Sequence, residues 1–132
     1  MRRKKVLVTA LLIIAVGFSG VKGFLAYVES NLQALGKMTL AQIDLQKIED
    51  GVYFGSHSTF PVSADVRVSV KDHMIAGIEI VKHTNGQGAA AEAIPGKVLE
   101  SQTLQVDCVS GATYSSKVLL KAIENALLGA TE

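Results

Sequence analysis

The sequence lacks the residue patterns that most often mark a disulfide scaffold, a metal site or a catalytic centre. Cys108 is the only cysteine, so an internal disulfide is excluded, and the three scattered histidines share no metal-ligand spacing with it. The Gly-x-Gly-x-x-Gly pattern of dinucleotide sites and the Gly-x-Ser-x-Gly pattern of serine hydrolases are both missing. We therefore predict no metal site, no nicotinamide site and no catalytic residue in this chain.

Charged residues are few and unevenly placed. They make up 19% of the 132 residues, against 48% apolar residues, which is a composition typical of a folded chain. The net charge of +1 combines four positive residues at positions 2–5 with a net charge of −3 from position 45 onward. Since this second part has no basic patch, we predict no nucleic-acid partner. The length leaves room for one small domain and an anchor.

An uncharged apolar stretch follows the basic N-terminus. Residues 6–21 span only about 24 Å as a helix, and extension to Val28 gives about 34 Å, enough for a hydrocarbon core of about 30 Å. Lys22 then has to snorkel toward the outer interface, where Tyr27 also fits. A cleaved signal peptide has the same basic and apolar regions, but no clean Ala-x-Ala cleavage site is present. We predict an uncleaved transmembrane helix over residues 1–28.

The basic residues at positions 2–5 also predict the orientation of the anchor. Positive charge stays on the cytoplasmic side of a membrane, so the C-terminal domain is expected outside the cytoplasm, at the cell membrane. Residues 29–46 are polar to amphipathic and predict a helical stalk or linker, with Gly36 as a point where the helix breaks. The domain itself is expected over residues 47–132.

The clearest local pattern in this domain is a β-hairpin over residues 64–82. Val66, Val68 and Val70 alternate with polar residues, as in a half-buried strand, and Asp72 and His73 form the turn to a second strand. Residues 51–56 predict a further short strand, and residues 57–61 a loop. Together with the helices below, the pattern predicts an α+β fold: a small antiparallel sheet with packed helices, preceded by the transmembrane helix.

Two helices are predicted after the hairpin. Residues 89–99 have a helical pattern that Pro95 interrupts, so Pro95 is expected in the first turn of a new short helix. Residues 102–109 are expected to return to the sheet. An amphipathic helix follows over residues 115–128, with Ser115 and Ser116 as candidate N-caps.

The loop that enters this last helix is the candidate functional site. A helix N-terminus presents free backbone N–H groups and the positive end of the helix dipole, an arrangement that suits a phosphate. Gly111 and Ala112 have small side chains, so a bulky group can approach the backbone. Thr113 places a hydroxyl at the mouth of the site.

The residues of this loop resemble a known motif. Asp107, Ser110, Gly111, Ala112 and Thr113 match the Asp-x-x-Ser-Gly-Ala-Thr flavinylation motif of FMN-binding domains. Such domains occur in the FMN-carrying subunits of sodium-translocating NADH:quinone oxidoreductase and Rnf-type complexes, and in small membrane-anchored flavoproteins. Residues 50–56, 66–75 and 100–102 are similar to other landmarks of the family, so the resemblance covers the chain from Lys47 to its end.

The resemblance implies an electron-transfer flavoprotein rather than an enzyme with its own substrate. FMN is expected to be joined through its phosphate to Thr113, by a separate flavin transferase that uses FAD and releases AMP. Electrons then pass to and from a redox partner protein at the membrane. Lys117 is either a counter-charge for the phosphate or a solvated helix residue. The alternative function is a module that binds FMN non-covalently, or recruits partners, without electron transfer of its own.

The loop after the hairpin is the second candidate region for flavin contact. His83 is followed by Gly86 and Gly88, whose lack of a side chain lets backbone approach a ligand. The resemblance implies that this loop lies against the flavin, although many family members have a Glu-Thr-Pro-Gly version from which this chain departs. His83 is either a group at the flavin edge or a surface histidine. Cofactor contact is also expected from Ser115 and Ser116.

Overall fold

The structure is a computed structural model that describes residues 1–84 and 88–131. These residues contain three α-helices and three β-strands. Two short 3-10 helices lie at Leu45–Lys47 and Ala89–Ala93. The elements, in chain order, are α1 (Arg2–Gly36), β1 (Gly51–Thr59), β2 (Val62–Lys71), β3 (Met74–Thr84), α2 (Ile94–Ser101) and α3 (Thr113–Gly129). The α+β fold predicted from the sequence is confirmed.

The three strands form one antiparallel sheet in the order β1-β2-β3. The predicted hairpin is confirmed as β2 and β3, and Val66, Val68 and Val70 are each 3% exposed or less. Asp72 and His73 both have a positive φ, as the two central residues of a type I′ hairpin turn require. The alternation of the valines therefore gives the sheet one buried face, which the helices cover.

The sheet differs from the prediction at two places. The expected loop over residues 57–61 is wrong, because β1 continues to Thr59, which pairs with Val62, and only Phe60 and Pro61 form the turn. Small polar residues here are typical of a loop, but pairing with the buried strand β2 keeps them extended. Residues 102–109 were expected to return toward the sheet, but only Gln102 contacts the edge of β3, and these residues form no strand.

A glutamine side chain occupies part of the edge of β3. Gln102 ends α2 with a φ of 54°, and its side-chain Oε1 accepts a hydrogen bond from the Ile75 N–H at 2.7 Å. Its Nε2 donates to the carbonyls of Ile75 at 3.0 Å and Leu99 at 2.8 Å. One amide thus pairs with both backbone groups of Ile75 and protects part of an open sheet edge.

Helix α3 covers the buried face of the sheet, against β1 and β2. The apolar stripe predicted for this helix is buried, each member being 1% exposed or less: Val118, Leu119, Ala122, Ile123, Ala126 and Leu127. The predicted short helix that begins with Pro95 in its first turn is confirmed as α2, which packs beside β3. These contacts fix the position and direction of α3, and hence of the loop that enters it.

Helix α3 approaches the sheet closely at Gly55 in β1. A Cβ atom added there would lie 2.1 Å from the carbonyl oxygen of Ala122 and 2.5 Å from the backbone nitrogen of Ala126. Both atoms belong to the backbone of α3 and have no freedom to move independently of the helix. Glycine at this position therefore sets the distance between helix and sheet.

Helix α1 continues without a break to Gly36, where the predicted helix end lies. Residues 1–27 are exposed, and within the described parts of the chain α1 is the one helix long and apolar enough to cross a membrane. Lys22 does not extend toward the C-terminal end of α1, because its Nζ lies 4.9 Å from the centre of the Phe18 ring, one turn nearer the N-terminus. Side chains in a helix tilt in that direction.

The segment after α1 packs on α3. The Lys117 Nζ donates a hydrogen bond to the Gly36 carbonyl at 2.5 Å and lies 3.5 Å from that of Met38. The buried Glu124 accepts from the Ala41 N–H at 3.2 Å and pairs with Lys121 at 2.6 Å. Residues 37–41 therefore lie against the domain. Lys117 is not simply a solvated residue, because it binds the carbonyl of Gly36, the last residue of α1, where the helix dipole favours a cation. Its expected role as a counter-charge for a phosphate stays a prediction.

The contact at Gly55 predicts a large effect of a very small substitution. Gly55→Ala should destabilise the domain by about 3 kcal/mol, because the added methyl group overlaps the α3 backbone. Gly77→Ala is the matched control, since a Cβ on this glycine of the same sheet meets nothing within 4 Å. Thermal unfolding of the full chain in detergent micelles, followed by circular dichroism, measures both. Equal midpoints for the two variants would contradict the account.

The edge contact predicts that Gln102→Glu destabilises the domain by about 1–3 kcal/mol at neutral pH. The carboxylate cannot donate to the carbonyls of Ile75 and Leu99 and is repelled by them, so burial in the folded state raises its pKa. The loss of unfolding free energy should become smaller as the pH falls toward about 4, because the protonated carboxyl group again has a hydrogen-bond donor. Gln105→Glu, at an exposed position, is the control for charge alone. A loss independent of pH would reject this explanation.

Candidate functional site

The Ser-Gly-Ala-Thr segment forms a tight turn followed by the start of α3. The Ala112 N–H donates to the Val109 carbonyl at 2.9 Å, which closes a four-residue turn. Gly111 is the third residue of this turn and has a φ of +79°, in the region that side chains other than hydrogen disfavour. The turn is exposed at Ser110 and Gly111. Glycine is thus required here for its backbone conformation.

Ala112 has a different role from the one expected. It was predicted to leave room for a bulky ligand, but its side chain is 5% exposed and belongs to the hydrophobic core. A small side chain is needed here because the residue that precedes α3 is packed against the domain interior. The open side of the turn is provided by Gly111, whose Cβ position has nothing within 4 Å.

Ser115 and Ser116 do not cap α3, because the helix begins two residues earlier, at Thr113, with Ala112 in the N-cap position. Both serines are buried, at 3% and 0% exposure. The Ser116 Oγ donates to the Ala112 carbonyl at 2.7 Å and accepts from the Val109 N–H at 3.0 Å. Ser116 therefore holds the turn and the first turn of the helix together from inside.

Among the described residues, no side chain caps the N-terminus of α3. The first hydrogen bond within the helix runs from the Ser116 N–H to the Ala112 carbonyl at 2.9 Å. The N–H groups of Thr113, Tyr114 and Ser115 precede it and have no carbonyl within the helix to bind. Ala112 supplies no side-chain cap. Three donors and the positive end of a helix dipole lie beside the exposed Thr113, an arrangement that suits an anion.

Asp107 lies at the opposite end of the loop, on the surface. Its backbone carbonyl accepts a hydrogen bond from the Lys97 Nζ at 3.2 Å, which ties the loop to α2. The sequence did not indicate Lys97, because this contact depends on the placement of α2. Asp107, Cys108 and Lys117 line a cavity of about 580 Å³, within the range of small-molecule sites, whose wall does not include Thr113.

The second candidate region lies at the end of β3. His83 is not a surface residue, because its side chain is 1% exposed and its Nδ1 lies 3.2 Å from a carboxylate oxygen of Glu92. Gly88 is buried, and its carbonyl accepts from the Ala91 N–H at 2.9 Å to begin the 3-10 turn. Gly86 lies outside the described residues. The predicted contact of this loop with a flavin stays a prediction.

The other two histidines lie on β1 and in the β2–β3 turn. His57 was expected in a loop but lies on β1, where its Nε2 is 3.1 Å from the Thr59 Oγ1. Burial lowers the pKa of His57, the positive charge of Lys121 lowers it further, and Glu124 opposes the shift. His73, in the β2–β3 turn, has its Nδ1 3.2 Å from the Ile48 carbonyl. Both side chains therefore support the fold.

The chain is similar to known proteins. A relative is an uncharacterized protein of Treponema pallidum (strain Nichols), which is 29% identical over 84 residues. The match covers 61% of this chain and 23% of the relative, so the chain spans less than a quarter of that protein's length.

The family model of the FMN-binding domain matches residues 61–128. This region begins at the β1–β2 turn, covers more than half of the chain, and includes the Asp107–Thr113 segment with its open helix N-terminus. The chain therefore belongs to the FMN-binding domain family, and FMN is its cofactor.

Proposed function

We propose that the protein is a membrane-anchored, extracytoplasmic electron carrier that bears FMN covalently on Thr113. The observation that carries the proposal is the geometry at the start of α3. An exposed threonine is the first residue of a helix whose leading N–H groups have no side-chain cap from Ala112. Helices that have only a structural role usually have Ser, Thr, Asp or Asn at that position.

The residues present fit a phosphate on Thr113. A phosphodiester at this hydroxyl keeps a negative charge, which the N–H groups of Tyr114 and Ser115 and the helix dipole stabilise. Gly111 leaves open space beside the loop, and the internal hydrogen bonds of Ser116 keep the loop in place. The Lys117 ammonium donates to the Gly36 carbonyl and keeps its positive charge, one helical turn after Thr113.

The chain's own residues position the cofactor and do not catalyse. FMN supplies one- and two-electron redox chemistry when bound. Thr113 offers the hydroxyl that a flavin transferase modifies, with FAD as donor and AMP as the leaving group. Since the sequence has no nicotinamide motif, the electrons come from a partner protein and pass to another. A covalent bond prevents loss of the cofactor from a compartment in which FMN is scarce.

The location follows from α1. Its residues 6–28 are uncharged except for Lys22 and mostly apolar, and they are exposed in the absence of lipid, except for the half-buried Val28. The basic residues at positions 2–5 favour the cytoplasmic side, so the domain at the other end of α1 lies outside the cytoplasm. The redox partner is then a protein at the same membrane.

The proposal predicts that Thr113→Val abolishes covalent flavin and leaves the fold intact. Valine has nearly the shape of threonine but no hydroxyl, and the position is exposed. Thr131→Val, at an exposed threonine beyond the other end of α3, is the control and should be labelled like the natural chain. Thr113→Ser should retain some labelling, because a hydroxyl remains. In-gel flavin fluorescence after denaturation, from cells that contain a flavin transferase, measures all three.

Two results of this experiment would contradict the proposal in different ways. A fluorescent Thr113→Val band would place the covalent bond on another residue. A natural chain that binds FMN but loses all fluorescence on denaturation, with the transferase active on a known substrate, would favour the alternative of a non-covalent FMN module.

The topology predicts the activity of reporter fusions at the C-terminus. Alkaline phosphatase fused after Glu132 should be active, because it folds only outside the cytoplasm, and green fluorescent protein at the same point should be dark. Replacing the positive residues at positions 2–5 by Glu should reduce phosphatase activity, since these charges set the orientation. An inactive phosphatase together with a bright fluorescent fusion would reverse the assignment.

A further inference from the structure

We propose that the turn between β1 and β2, which we call the β1–β2 tip (residues 59–62), rests in the outer interface of the bilayer that α1 crosses. Phe60 would contact lipid there. The inference depends on the membrane anchoring given under the proposed function, and it adds a second attachment of the domain to the same lipid surface. The occupant of this exposed apolar turn is thus the bilayer itself, not another protein.

The first observation is an aromatic cluster that joins the tip to α1. The ring centres of Phe60 and Phe24 are 6.0 Å apart at an interplanar angle of 70°, an edge-to-face arrangement. Those of Phe60 and Tyr27 are 6.5 Å apart. All three side chains remain at least 50% exposed to the surroundings. The tip therefore reaches along α1 into the stretch assigned to the membrane.

The second observation is the height of this cluster along α1. With a rise of 1.5 Å per residue, Phe24 lies about 27 Å and Tyr27 about 32 Å beyond Val6, where the apolar stretch begins. A hydrocarbon core of about 30 Å ends between these two residues. Phe60 lies beside both, so its ring lies at the boundary between acyl chains and headgroups. Aromatic residues are enriched at that level of membrane proteins.

The third observation is the composition of the tip. Phe60 is 50% exposed and Pro61 is exposed, so the turn presents an apolar surface away from the domain core. Pro61 has no backbone N–H, which removes one donor that lipid cannot satisfy. Thr59 and Val62 pair with each other at the base of the turn. The tip thus has few free polar groups and suits the interface.

The two attachments fix how the domain stands on the bilayer. The tip contacts α1 at Phe24 and Tyr27, whereas Lys117 holds the end of α1 at Gly36, about 14 Å further along the helix. Tyr114, the neighbour of Thr113, lies beside Gly36, with its Cε1 3.9 Å from the Cβ position of that glycine. The tip therefore faces the lipid, and the start of α3 faces away from it.

The experiment uses fluorescence, because the chain contains no tryptophan and a single introduced one is an unambiguous reporter. Full-length Phe60→Trp is reconstituted in nanodiscs of phosphatidylcholine and phosphatidylglycerol whose acyl chains are brominated near the headgroup. We expect a blue-shifted emission and loss of most of the fluorescence relative to unbrominated nanodiscs. Phe54→Trp, 70% exposed on β1 and away from the tip, should keep a water-like emission and its intensity.

The variant Phe24→Trp tests whether α1 enters the bilayer, independently of whether the β1–β2 tip contacts lipid. Quenching of Phe24→Trp but not of Phe60→Trp would overturn the tip inference and leave the anchor in place. No quenching of either would overturn both. Phe60→Cys with a nitroxide label, in a Cys108→Ser chain, provides a second reading if the tryptophan variant does not fold. We expect that label to be broadened more by oxygen, which concentrates in lipid, than by a water-soluble nickel chelate, and the reverse order would reject the proposal.

Discussion

The packing of α3 on the sheet is the contact on which the rest of the structure depends. The absence of a side chain at Gly55 lets the helix backbone approach β1, and the buried valines of β2 complete the core beneath it. The same helix holds other parts of the chain, since Lys117 binds the end of α1 and Glu124 binds the segment after it. A shift of α3 would therefore move the candidate site and the anchor together.

The start of α3 lacks the stabilisation that a capping side chain provides, and a bound phosphate could supply it. A side chain that caps a helix usually contributes about 1 kcal/mol, and Ala112 cannot supply one. The hydroxyl of Ser116 instead faces inward and fixes the turn. Local rules of this kind are commonly broken at functional sites. The proposed phosphate on Thr113 would bring acceptor oxygens close to the leading N–H groups of α3, so attachment should also stabilise the helix.

Sequence periodicity predicted the elements that have one buried face. The alternating valines of β2 and the apolar stripe of α3 are such cases, because burial of one face leaves a direct trace in the residue order. Prediction from the sequence failed for residues whose structure depends on contacts with distant parts of the chain. The strand residue His57 and the edge contact of Gln102 are examples. At the site, the motif gave the family, but the inward-facing Ser116 and the buried Ala112 depend on packing that no local pattern encodes.

The covalent bond at Thr113 is the central claim, and mass spectrometry of the intact chain tests it most directly. The chain is purified from cells that contain a flavin transferase and is then digested, and the peptide that includes Thr113 is fragmented. The account predicts an intact mass raised by one FMN less one water, with the added mass confined to Thr113. An unmodified intact mass, or an added FMN on Ser110 or another residue, would contradict it.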